Sequence, residues 1–82
     1  MKVHMTPAGP KHPEKDPMYK DLHVDDSFEE DFQTGERTYI ITNVNKEIIA
    51  KVVFDEGEGD LVEQRKIAEQ VGAKIMGGIP LS

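Results

Sequence analysis

The chain has 82 residues, a formal net charge of −6 and no cysteine. That length allows one small domain with a thin core, and without thiols neither disulfides nor thiolate metal sites can staple it. No apolar run approaches the roughly 20 residues of a membrane span and no apolar leader stretch follows the N-terminus, so the expectation is a soluble, cytoplasmic protein with no cofactor and no membrane partner.

Residues 1–36 read as an arm. Prolines at 7, 10, 13 and 17 remove backbone donors and hold their predecessors extended. His4 and His12 show no metal-ligand spacing, so no metal site is expected. The second half, DLHVDDSFEEDFQTGE, holds seven acids and no Lys or Arg. Leu22 and Val24 alternate with polar residues like a short strand. Phe28 and Phe32 stand four apart, which in a helical turn puts both on one face with acids around them. They serve either as plugs for the domain's own core or as anchors of an acidic docking motif. Thr34-Gly35-Glu36 marks a turn.

Residues 37–82 read as a ββα module with a short tail. Arg37–Val44 and Glu47–Phe54 are rich in Ile, Val, Thr, Tyr and Phe, the residues of strands, and Asn45-Lys46 suits a two-residue turn. That turn pairs Thr42 with Ile49, Ile40 with Lys51 and Thr38 with Val53. It sorts Tyr39, Ile41, Ile48, Ala50, Val52 and Phe54 onto one face. Ile40, Val44, Ile49 and Val53 fall on the other, a candidate surface for self-association, because one helix covers only one face. The hairpin edges are free unless the Leu22–Val24 stretch or the tail adds a strand. DEGEGD, residues 55–60, adds four acids. It lacks the oxygen ligands of a calcium loop at its third and fifth positions and the signature of a phosphate loop, so it reads as a connection. Asp60 and Glu63 fit a helix capping box, and Leu61, Ile67, Ala68 and Val71 form the apolar side, with Gln64 intruding. The helix either stops at Gly72, freeing residues 73–76 for a third strand, or runs on to Met76. The fold class expected is α+β: a hairpin on one C-terminal helix, with an extended Pro-rich, acidic arm.

No nucleophile–base pair is apparent. The serines are Ser27 and Ser82, the histidines lie in the arm and the carboxylates in solvated blocks, so an enzyme is not expected.

The stretch YIITNVNKEIIAKVVFDEGEGDLVEQRKIAEQV, less than half of the chain, resembles short phage and prophage reading frames of hairpin-plus-helix design. It departs from them in lacking glycine in the turn and an Ala-rich helix end. The resemblance implies a small accessory protein of a mobile element, some of which inhibit host defence or host nucleic-acid machinery, and it carries over no site residues.

Three functions compete. In the first, the acidic segment occupies a basic groove on a nucleic-acid-handling protein, with Asp25, Asp26, Glu29, Glu30 and Asp31 supplying charge and Phe28 and Phe32 the anchors. In the second, the chain is a structural homodimer or assembly component that uses the outer face of the hairpin. The third, direct nucleic-acid binding through Arg37, Lys46 and Lys51, opposes the acidity of the chain and is not expected.

Overall fold

The computed structural model describes residues 1–6 and 20–77. The Pro-rich part of the arm and the tail beyond Gly77 lie outside the described residues. Four strands, β1 (Lys2–Met5), β2 (His23–Glu30), β3 (Arg37–Thr42) and β4 (Ile48–Phe54), form one antiparallel sheet in the order β1-β4-β3-β2, followed by the helix α1 (Leu61–Met76). The architecture is α+β, as the sequence implies. Both edges of the β3–β4 hairpin are occupied, however, by strands that the sequence assigned to the arm. The Leu22–Val24 alternation is the start of β2, and β1 closes the other edge.

The hairpin keeps its predicted register where it matters for the core. Ile40 faces Lys51 and Thr38 faces Val53. Its turn differs. Asn43 N–H donates to the Glu47 carbonyl at 3.3 Å and Lys46 N–H to the Asn43 carbonyl at 3.0 Å. The loop is therefore the three residues Val44–Lys46, not Asn45-Lys46 alone, and Lys46 takes the left-handed φ of 62° that three-residue hairpins place at their last loop position. A bulge at Ile49 absorbs the extra residue, so that Thr42 faces Ile48. The bulge also exchanges two isoleucines: Ile49 is fully buried in the core, while Ile48 is exposed. Ile49 is thus removed from the predicted self-association surface, and Val44 sits in the loop rather than on a strand face.

The helix starts as expected. Asp60 Oδ1 accepts the Glu63 N–H at 2.9 Å. It does not stop at Gly72 but runs to Met76, so residues 73–76 form no strand. The last turn is held from outside: Ile75 is buried with Ala68 and Val71, and the Leu22 N–H points at Met76 Sδ, 3.3 Å away. These contacts outweigh the ~1 kcal/mol cost of an interior glycine. Leu61 is exposed rather than part of the apolar stripe. Gln64 belongs in the stripe for a polar reason: it accepts the Tyr39 hydroxyl at 3.1 Å and donates to the Gly59 carbonyl at 3.1 Å. The buried phenol therefore has the partner it needs, while burial raises its pKa. Leu22, Val24, Tyr39, Ile41, Ile49, Ala50, Val52 and Phe54 of the sheet region join Ala68, Val71 and Ile75 in the core. No helix among the described residues is long and apolar enough to cross a membrane.

Candidate functional site at the acidic edge

The sheet ends at β2, and β2 carries the predicted docking segment. It is a strand, not a helical turn. An unpaired β3 edge would leave a row of backbone donors and acceptors without partners, and pairing satisfies them. The pairing is interrupted. Val24 faces Ile41 and Phe28 faces Tyr39, so three β2 residues oppose the single residue Ile40. Arg65 of α1 fills the gap left in the ladder. Its guanidinium donates to the carbonyls of Val24 at 3.0 Å and Asp25 at 3.1 Å and reaches Asp26 Oδ1 at 3.5 Å. The Ser27 hydroxyl donates to Asp25 at 2.6 Å, and this bond is the main cause holding the Asp25 carboxyl below its ordinary pKa. Asp25 and Asp26 are thus gathered at a bulge clasped by the helix.

The other end of β2 is arranged differently. Phe28 lies half-exposed on the helix side and stacks on Tyr39, with ring centroids 5.4 Å apart. Glu29 points to the opposite face, beside Thr38. Glu30 accepts from Arg37 Nε at 2.8 Å, an ion pair that raises the Arg37 pKa. Asp31 then closes the turn: its Oδ1 accepts the N–H groups of Gln33 at 2.9 Å and Thr34 at 3.3 Å, and its carbonyl accepts from Gly35 at 2.7 Å. Phe32, at the tip, is 89% exposed. The two phenylalanines therefore do not share a helix face. Phe28 leans on the core residue Tyr39 from outside the core, and Phe32 has no place in the core.

The two acidic blocks, separate in sequence, meet here. Gly35, at φ 78°, packs so closely on the β4–α1 loop that an added Cβ would lie 2.7 Å from Glu56 Cβ. Glu56 and Glu36 consequently flank the same turn. Glu58, in the same loop, is engaged by the N-terminal ammonium at 2.7 Å and the Asp55 N–H at 2.8 Å. The ammonium is the leading cause of its lowered pKa. Glu56 was not among the predicted site residues. Its one trace in the sequence, the glycine at 35, is a residue common to turns of every kind.

Of the seven predicted docking residues, Asp25 and Asp26 sit at the bulge, Glu29 faces the open side of the sheet, and Glu30, Asp31 and Phe32 with Glu36 and Glu56 form the far end. Phe28 lies between. The result is an acidic edge the length of the eight-residue strand, roughly 25 Å at strand rise, ending in an exposed aromatic. Among the described residues no group of three or more His, Asp or Glu is placed to hold a metal ion. Comparison with protein families, with curated proteins and with solved structures finds no match to this chain.

Proposed function

We propose that this protein is a non-enzymatic binding module whose acidic β2 edge occupies a basic, nucleic-acid-binding surface on another protein. The observation that carries the reading is Phe32. Asp31 closes the turn without help from the ring, yet a phenylalanine stands 89% exposed there, on the turn whose Gly35 packs against Glu56 and which ends at Glu36. Large aromatics ringed by charge are the anchors of protein interfaces, and carboxylates spaced along a strand present an array of negative charge to Lys and Arg that otherwise hold phosphates. The acids on β2 have a second use: charges and bulges blunt an edge strand against self-pairing. That use explains the charge of the strand but not the aromatic beyond its end. Combined with the resemblance to phage reading frames, the reading makes the partner a host nucleic-acid-handling protein and this chain its inhibitor.

The test uses the full chain, immobilised and exposed to the heparin-retained proteins of a cell lysate. Bound proteins are expected to be released by added salt and by single-stranded DNA. The variant Asp31→Asn/Glu36→Gln/Glu56→Gln, which keeps the acceptor oxygen of the turn, is expected to retain far less. Equal retention by the variant, or indifference to both salt and DNA, contradicts the proposal.

A further inference from the structure

The face of the sheet opposite α1 has a charge order that runs across the strands. Val3 packs toward the core, so its neighbours Lys2 and His4 project to the open face. The register then gives an unbroken row, Lys2–Val53–Thr38–Glu29, from one edge to the other. The next row is His4–Lys51–Ile40, ending at the β2 bulge, where Asp25 lines the same face as Ile40. Lys2 and Lys51 occupy the β1–β4 half and Asp25 and Glu29 the β2 half, with Val53, Ile40 and Ile48 along the middle and His23 and Lys46 at the turn end. Lys2 and Glu29 are three strand spacings apart, about 14 Å, too far to pair within one chain.

We infer that a second copy of this chain docks on this open face about a two-fold axis parallel to the strands. Such an axis lays the row Lys2–Val53–Thr38–Glu29 over its own reverse. Lys2 then meets Glu29 of the second copy at both ends, and Val53 meets Thr38 in the centre. A two-fold axis across the strands would instead set Lys2 against Lys2 and Glu29 against Glu29, so the charges select the first. The bulge contributes as well. By turning Ile49 into the core and Ile48 outward, it places an apolar side chain on this face at its turn end. A face of four strands and three rows covers on the order of half the ~800 Å2 per partner of a standard interface, so the dimer is weak, with dissociation expected in the range of tens to hundreds of micromolar. The acidic turn carrying Phe32, Glu36 and Glu56 stays outside the contact, so a dimer leaves the docking anchor free, while Glu29 and Asp25 of the β2 edge are shared by the two surfaces.

Sedimentation equilibrium of the full chain from micromolar to millimolar concentration tests this. A monomer–dimer equilibrium that stops at two copies and weakens with salt is expected. Lys2→Glu and Glu29→Lys should each weaken it roughly five- to tenfold, since each places two like-charged contacts in the interface. The charge-swapped Lys2→Glu/Glu29→Lys chain should recover it. Ile40→Thr, which preserves strand propensity, should weaken it without altering the far-ultraviolet dichroism. A monomer at millimolar concentration, a swap that fails to restore association, or an open series of larger species, as edge-to-edge pairing of β1 with β2 would give, each overturns the inference.

Discussion

The two turns of the sheet use the same device to different ends. At the β3–β4 turn, Asn43 Oδ1 accepts the N–H groups of Asn45 and Glu47, both at 3.0 Å. At the β2–β3 turn, Asp31 Oδ1 accepts those of Gln33 and Thr34. Both turns also contain a left-handed residue, Lys46 in one and Gly35 in the other. Yet Asn43 is 1% exposed and uncharged, while Asp31 is exposed, charged and followed by an exposed phenylalanine. Structure consumes the first turn. The second closes just as well and leaves an acid and an aromatic for something else. Function is legible where the side chains exceed what the backbone needs.

That contrast can be broken at several points. Asn43→Ala empties a buried site and frees two part-buried backbone donors, and should destabilise the protein by about 2–3 kcal/mol. Asp31→Ala, whose freed donors reach water, should cost only about 0.5–1 kcal/mol. Urea denaturation measures both, and equal costs would erase the distinction between the turns. Gly35→Ala should cost about 1–2 kcal/mol, from its positive φ and the approach to Glu56. If it is neutral by the same measurement, the two acidic loops are not packed together. Lys46→Gly should raise stability by about 0.5–1 kcal/mol, because a side chain at φ 62° is strained there. No gain would mean that the turn is not the three-residue form. Phe32→Ala should leave stability within about 0.5 kcal/mol.

Much of the hairpin and helix was legible because their signals are local. Asp60 caps as its spacing with Glu63 predicts, and the strand pairs nearest the core hold. The helix end was undecided, since Gly72 suits a C-terminus and only the tertiary contacts of Ile75 and Met76 carry the helix past it. The turn was one residue off, and the bulge at Ile49 that corrects it leaves no mark in a run of Ile, Ile and Ala. The docking segment was misread in conformation for a simple reason. A spacing of four puts two residues on one side of a helix and also on one side of a strand, so Phe28 and Phe32 could not choose between them. The choice was made by β3, whose edge needed a partner. The meeting of the acidic blocks at Gly35 and Glu56 is a tertiary event with no sequence period behind it.

The most direct test sets the full chain beside its Phe32→Ala variant on two columns, with the same heparin-retained lysate proteins passed over each. The account predicts proteins held by the native chain, displaced by single-stranded DNA, and largely lost by the variant although its unfolding midpoint is unchanged. Equal capture by the two columns would contradict it, because the exposed ring at the acidic turn would then have no part in binding.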